Sequence, residues 1–292
     1  MVTVVSQPDR PRGRGRKQTP SPIAQVALDH GTPLLRPERV GEADVAEALR
    51  SHAPDLGIVV AFGQFLPKHV RELPSLGYLV NAHASLLPRH RGAAPIAHAI
   101  LAGDAESGVC AMRVEREMDT GAVCGVRATQ IGAAETTGEL TDRLAVIAAE
   151  LIVATVDRAA RGELDAEAAW AAQQHDRATL APRIEREHAR LDFSADAQSL
   201  SRRVRAMAPK PGAFAGWKDQ TLRILGAGAD AATASEPPGT VRITDEGSVR
   251  IATGEGWLVP TRLQRAGGRA LDVADFQRGH GLADGDHLDT PS

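Results

Sequence analysis

The segment Leu79-Val80-Asn81-Ala82-His83 sets two hydrogen-bonding side chains two residues apart, and a carboxylate follows downstream in Met118-Asp119-Thr120-Gly121. Residues two apart in a strand project from the same face, so Asn81 and His83 can look into one pocket. An imidazole titrates near neutrality and can carry a proton. A carboxamide donates to an oxyanion. A carboxylate can orient and polarise the imidazole, or hold a relaying water. Together these groups suit transfer of a small acyl unit onto an amine. The attacking nitrogen must lose a proton, the leaving nitrogen must gain one, and the tetrahedral intermediate carries an oxyanion. No Ser or Cys nucleophile is needed if the amine attacks directly. By themselves, Asn-x-His after a strand reads first as a turn with a satisfied histidine, and Asp-Thr-Gly as a plain turn. A zinc set of His83, His90 and His98 is disfavoured, because Arg89 and Arg91 stand among the ligands with no Cys or carboxylate beside them, so no metal is expected.

These groups need a sheet to carry them. Short apolar runs alternate with helical patterns through roughly the first 160 residues, the signature of a parallel α/β sheet with its ligands at the carboxyl ends of the strands. Val2–Val5, Leu56–Ala61, Leu79–Asn81 and Val109–Val114 read as strands. Ser21 before Pro22 reads as a capped helix start running to His30, with Gly31 as its stop. Ala43–Ser51 is the next helix, and Thr136 with Glu139 forms a capping box opening a helix towards Arg161. Residues 173–194 turn polar and read as a linker. Beyond a helix at Ala195–Met207, the runs Thr221–Leu225, Gly239–Ile243, Ser248–Ala252 and Trp257–Leu263 recur at the spacing of a small β-barrel. Gly228–Pro238 reads as a flexible loop and His280–Ser292 as a frayed tail. The expected organisation is an α/β domain over 1–172, a linker over 173–194, and an OB-like barrel over 195–292.

Composition narrows the class. No stretch approaches the roughly 20 apolar residues of a membrane helix, and the basic loop directly after Val5 has the wrong order for a secretory signal. Cys110 and Cys124 lie in apolar runs and read as buried core thiols, which fits a cytoplasmic protein. The formal net charge of -3 means that any affinity for nucleic acid must come from a local patch.

In combination the motifs are specific. Asn81-x-His83-x-Ser85-Leu86-Leu87-Pro88, then Arg91-Gly92-Ala93-Ala94-Pro95, then Asp119-Thr120-Gly121 resembles the signature of the folate-dependent formyltransferases. The resemblance implies a Rossmann-like formyltransferase domain with Asn81, His83 and Asp119 as the catalytic trio and 10-formyltetrahydrofolate as co-substrate. It implies a folate pocket lined by Phe62, Gly63, Gln64, Phe65, Leu66 and Pro67, together with Ser85, Leu86, Leu87 and Pro88. One departure is Ala84, where relatives often carry Gly or Pro, a change that can shift the loop slightly.

The acceptor is suggested by Gln7-Pro8-Asp9-Arg10-Pro11-Arg12-Gly13-Arg14-Gly15-Arg16-Lys17. Such a basic run is otherwise a solvated face or a general polyanion contact. It resembles the insertion loop of the methionyl-tRNA formyltransferase branch. This implies Arg10, Arg12, Arg14, Arg16 and Lys17 as tRNA contacts, with Arg14 at the weak first base pair of the initiator acceptor stem. Arg202, Arg205 and Lys210 are the corresponding basic residues at the start of the second domain, and Trp217 reads as barrel core. The implied partners are initiator methionyl-tRNA and the folate donor; there is no membrane, and a monomer suffices. A sugar-nucleotide or small-amine N-formyltransferase and a tRNA-binding protein without turnover are the alternatives. The family begins with a strand, a Gly-rich turn and a helix, on the order of 30 residues, the scale of one crossover unit. This chain starts at what corresponds to the second strand. The expectation is a start assigned too late in the reading frame, or else an impaired natural product. Without that strand the sheet should show open edges and an exposed apolar face.

Overall fold

The computed structural model describes residues 1–12, 17–244, 247–279 and 281–290. In chain order the first elements are Val4–Val5 (β1), Arg10–Arg12 (β2), Lys17–Thr19 (β3), Pro22–Asp29 (α1), Leu34–Leu35 (β4), Ala43–Ser51 (α2), Gly57–Val59 (β5), Lys68–Arg71 (α3), Leu79–His83 (β6), Pro95–Ala102 (α4), Glu106–Arg113 (β7), Val123–Gln130 (β8) and Thr137–Ala160 (α5). Then follow Ala197–Met207 (α6), Ala213–Trp217 (β9), Gln220–Asp230 (β10), Val241–Ile243 (β11), Val249–Ala252 (β12), Trp257–Arg265 (β13), Leu271–Asp272 (β14), Val273–Gly279 (α7) and Leu288–Asp289 (β15). By packing, the chain divides into one unit of Met1–His83, Val109–Arg127 and Ala148–Arg177, and another of Ala84–Gly108, Ala128–Ile147 and Ala178–Ser292.

The expected caps form. The Ser21 hydroxyl accepts from the Ala24 N–H at 3.1 Å, with Pro22 at the first helical position where its missing N–H costs nothing. At the start of α5, Glu139 Oε2 accepts from the Thr136 N–H at 2.9 Å while Thr136 Oγ1 accepts from the Glu139 N–H at 3.3 Å, a reciprocal capping box.

In the first unit β1 pairs with β4 in parallel, and β5–β6–β7–β8 form a separate four-stranded sheet. This sheet is mixed rather than parallel throughout. β6 runs parallel to β5 but antiparallel to β7, with Asn81 opposite Met112 and His83 opposite Cys110. β5 is an edge strand, and among the described residues nothing pairs with its outer side. Ile58 in this strand and Val60 directly after it are 37% and 57% exposed, an open edge with exposed apolar side chains. Val40, Leu49 and Val70 form a small core, against which Val5, Leu35, Phe62 and Leu66 pack. Both cysteines are buried and outside any disulfide, as expected, and burial raises the Cys124 thiol pKa.

The second unit contains an antiparallel sheet in the order β11–β12–β13–β10–β9–β15, with β14 added on β13. Its curled, OB-like form closes over Leu222, Ile224, Val249, Ile251, Leu258 and Leu263, all fully buried. Trp217 lies in this core, its indole N–H donating to Asp286 Oδ2 at 3.0 Å. Three expectations need correction. The stretch 281–290 is not a frayed tail: β15 pairs with β9, and Leu282 and Leu288 are buried. β10 extends to Asp230, taking the first residues of the expected flexible loop into a ladder with β13. The expected linker packs tightly at several points, since Ala181, Ala189 and Leu191 are fully buried. In the tail and in the expected linker a few apolar anchors outweigh a polar composition, because burial acts on the single residue and composition averages over the run; at Gly228–Asp230 the ladder with β13 holds the chain.

Leu288→Ala should therefore destabilise the second unit by about 2–5 kcal/mol, the usual cost of emptying a buried leucine site. Urea unfolding checks this; a change no larger than that of an exposed-leucine control would restore the frayed tail.

Candidate active site

β6 presents Asn81 and His83 on one side, while Val80 on the other side is completely buried and fixes the strand's facing. His83 is 5% exposed. Its Nδ1 lies 3.6 Å from Asp119 Oδ1, longer than a normal hydrogen bond. The Asn81 side chain is half-buried at the carboxyl half of the strand, and its carboxamide takes no hydrogen bond from the described residues. Thus the structure brings His83 and Asp119 together and places Asn81 on the same strand face.

Asp119 reaches His83 because of a constrained turn after β7. Its φ of 55° lies in the left-handed region, which a short polar side chain tolerates better than most. Gly121 is required for a different reason, close approach. A Cβ there would sit 2.1 Å from the Arg113 carbonyl oxygen, because the chain turns back on β7 and Arg113 N–H donates to Ala122 O at 2.9 Å. The Asp-Thr-Gly motif therefore has a backbone cause. The glycine permits the tight return that turns the Asp inward.

The segment expected to bind folate is committed in part to holding itself. Phe62 and Leu66 pack on the Val40–Leu49–Val70 core. Gln64 faces inward: its Oε1 accepts from Val40 N–H at 2.8 Å and its Nε2 donates to Pro37 O at 3.2 Å. Gln7 Nε2 donates to Phe62 O at 2.7 Å, tying the loop to the chain leaving β1. Gly63 takes a φ of 77° and the non-glycine Ala61 a φ of 47°, so the chain reverses sharply after β5. Phe65 alone of this group turns a large apolar face outward. Pro67 is the residue from which α3 starts.

Ser85, Leu86, Leu87 and Pro88 belong to the second unit. There Ser85, fully buried, donates to Arg89 O at 2.7 Å and shapes its own turn. The following motif is knitted to residues 179–181. Arg91 N–H donates to Thr179 O at 2.9 Å and Ala181 N–H to Arg91 O at 2.7 Å, while a Cβ on Gly92 would meet Ala181 O at 2.6 Å. His90 and Arg89 both contact the Asp104 carboxylate, at 2.7 Å and 2.6 Å. His90 is therefore engaged with the Asp104 carboxylate. No cluster able to hold a metal ion occurs among the described residues.

Residues 10–12 and 17–19, β2 and β3, which flank the middle of the basic segment, pair as a short antiparallel hairpin. Ser6 and Ser21 hydroxyls join at its neck, 2.5 Å apart. Asp9 accepts two bonds from Arg36 Nη1, and Arg10 pairs with Glu38 at 3.1 Å on the surface. Arg12 and Lys17 lie in the two strands, and Arg14 and Arg16 fall outside the described residues. Of the basic residues expected near the second domain, Lys210 is exposed, whereas Arg202 is half-buried with its guanidinium against Gly103. Arg205 corrects the expectation. It is 7% exposed, donates to Glu135 O at 3.1 Å, and has its pKa lowered first by burial and then by Arg202. The amphipathic face of α6 turned Arg205 inward, where its guanidinium has little access to solvent.

The model of the formyl transferase family matches residues 1–156, and that of the formyl transferase C-terminal domain matches 183–281. The methionyl-tRNA formyltransferase of Halorhodospira halophila is 45% identical over 285 residues, which span 98% of this chain and 90% of that one. This chain belongs to the methionyl-tRNA formyltransferase family. The relative from Citrifermentans bemidjiense is 41% identical over 286 residues, 98% of this chain and 87% of its own. Among solved structures, methionyl-tRNA formyltransferase from Clostridium thermocellum superposes with a TM-score of 0.55 at 16% identity, covering 80% of this chain and 96% of that one, a likeness of fold. The donor used by the family is 10-formyltetrahydrofolate.

Sequence reasoning missed Gln173, whose buried side chain donates to the carbonyls of Asp119 and Gly121. The only signal was a glutamine in a polar run, which composition filed with the linker. It also missed the inward role of Gln64. Gly121→Ala should displace the Asp119 turn, because the added methyl meets backbone and not a flexible side chain. The expected result is a loss of formylation of about 10²-fold, the scale of an ångström-sized misplacement, and an unchanged rate in that variant would show that the turn tolerates the shift.

Proposed function

We propose that this chain transfers the formyl group of 10-formyltetrahydrofolate to the amino group of methionine on initiator methionyl-tRNA, with Asn81, His83 and Asp119 as its working groups. The observation that carries the assignment of roles is the buried His83 imidazole facing the Asp119 carboxylate on the strand face that also holds Asn81. The near-full-length identity to methionyl-tRNA formyltransferases favours a tRNA acceptor over a sugar nucleotide or a small free amine.

The donor supplies an activated N-formyl group. The residues present fit a flat heterocycle with hydrogen-bonding edges, since the Asn81 carboxamide is uncommitted and Phe65 offers an exposed aromatic face. The neutral methionine nitrogen attacks the formyl carbon, forming a C–N bond and pushing electrons onto the carbonyl oxygen. Asn81 donates an N–H to that oxyanion, which a preorganised dipole stabilises without reorganising. His83 accepts the proton from the attacking nitrogen. Asp119 favours the resulting imidazolium by charge, through the 3.6 Å contact at Nδ1. The proton then passes to the leaving nitrogen as the old C–N bond breaks, giving formyl-methionyl-tRNA and tetrahydrofolate.

For the acceptor, the basic hairpin and Lys210 supply positive charge that contacts phosphate, with Arg14 at the end of the acceptor stem. Arg205 is left out of this set by its burial. The roles of Phe65 and of Ser85–Pro88 towards the donor rest on the family resemblance. No helix among the described residues is long and apolar enough to cross a membrane. From its family membership we infer a cytoplasmic enzyme, and we propose that it acts as a monomer.

Formylation of charged initiator tRNA by purified protein is the test. His83→Ala should lower kcat by about 10²–10⁴-fold, the contribution of general acid–base catalysis, and Asn81→Ala by about 10²–10³-fold, the range for a lost oxyanion donor. An undiminished rate in the His83 variant removes it as the base. Lys210→Gln should flatten the dependence of log binding constant on log salt by about one phosphate contact. Arg205→Met should leave that slope unchanged and lower the melting temperature; the opposite pattern would return Arg205 to the tRNA surface.

A further inference from the structure

Asp119 holds a left-handed backbone conformation, which costs a non-glycine residue free energy even where a short polar side chain tolerates it, so the contacts that fix its turn matter. One side is fixed by β7, through the Arg113–Ala122 bond and the absence of room for a Cβ at Gly121. The other side is fixed by a residue far along the chain. Ala171 and Val123 exchange both backbone hydrogen bonds, at 2.8 and 2.9 Å, as an isolated antiparallel bridge. In an antiparallel pair, two residues onward on one strand oppose two residues back on the other. Gln173 is thereby brought opposite Gly121. There its side chain replaces the backbone ladder: Nε2 donates to Gly121 O at 2.7 Å and to Asp119 O at 2.9 Å.

We propose that Gln173 is a positioning residue for the formyl transfer, holding the Asp119 turn so that its carboxylate faces His83. A primary amide carries two N–H groups on one nitrogen, and here that nitrogen bonds the two carbonyls that bracket Thr120. The Asp119 carbonyl orientation sets the ψ of that residue, and with it the direction in which the side chain leaves the turn. Gln173 is 8% exposed, so water is a poor substitute for these bonds. The chemistry is selective. Asn is one methylene too short to reach both carbonyls, and an ionised Glu brings acceptors against two acceptors. The proposal rests on the reading of His83 and Asp119 as the reacting pair, and it adds a member that touches neither substrate.

The test is Gln173→Met, close in shape with no donor, in the full chain, alone and combined with Asp119→Asn. The expected result is a fall in kcat of about 10–100-fold with the KM for the folate donor nearly unchanged, in keeping with the cost of misplaced groups. In the Asp119→Asn background the same change should cost less than about threefold, because the residue it positions is already disarmed. Full multiplicative losses in the double variant would overturn the proposal, since a merely structural residue lowers both backgrounds alike. If Gln173→Met does not fold, Gln173→Glu assayed at neutral pH takes its place with the same expectations. A crystal structure of the folded variant gives a readout independent of catalysis: the Asp119 carboxylate should leave its 3.6 Å position beside His83. An unmoved turn overturns the proposal even if the rate falls. A moved turn with a normal rate upholds the positioning and removes instead the reading of Asp119 as part of the reacting pair.

Discussion

The chemistry of this protein depends on a carboxylate held against a buried imidazole by backbone that would not take that path unaided. His83 is placed by β6, whose registration against β7 is secured by the burial of Val80 on one face and Cys110 opposite the imidazole residue itself. Asp119 is placed by a turn after β7 in the left-handed region. A contact of 3.6 Å between groups in a poorly solvated place is sensitive to small displacements, since both the field and the proton path change with distance. The surroundings of the pair accordingly consist of constraints on the turn: a glycine with no room for a methyl, a backbone bond from Arg113, and the amide of Gln173 drawn in by the Ala171–Val123 bridge.

A second set of constraints stands at β5. The loop after it spends Phe62, Gln64 and Leu66 on the protein's own core and carbonyls, leaving Phe65 to face outward. Gln7 fastens this loop to the chain just before the basic hairpin. The segment read for the donor and the one read for the acceptor therefore share a hydrogen bond. The edge of β5 is open among the described residues, with Ile58 and Val60 exposed there. An unpaired edge beside apolar side chains is costly to leave in water.

The second unit shows why charge on a helix is a poor guide to surface. Arg202, Arg205 and Lys210 look equivalent in the sequence, yet one lies against Gly103, one is buried and bonded to Glu135 O, and one is exposed. Arginine accepts such burial because its stem is apolar and its fork can satisfy a carbonyl. Residues 281–290 show the converse, a polar tail whose two apolar anchors, Leu282 and Leu288, are buried as β15 joins the sheet.

Local chemistry was legible in the sequence wherever a rule acts within a few residues. The Ser21–Pro22 start, the Thr136–Glu139 box, the helix Ala43–Ser51 and the same-face placement of Asn81 and His83 all follow from periodicity and capping, and the motif combination identified the family. Tertiary structure alone decided what depends on two distant segments meeting. It made β7 antiparallel to β6, turned Arg205 and Gln64 inward, packed the tail through Leu288, and brought Gln173 under the Asp119 turn. The physical reason is the same each time. A side chain's type states which bonds it can make, but burial and register determine which partner is within about 3 Å to make them.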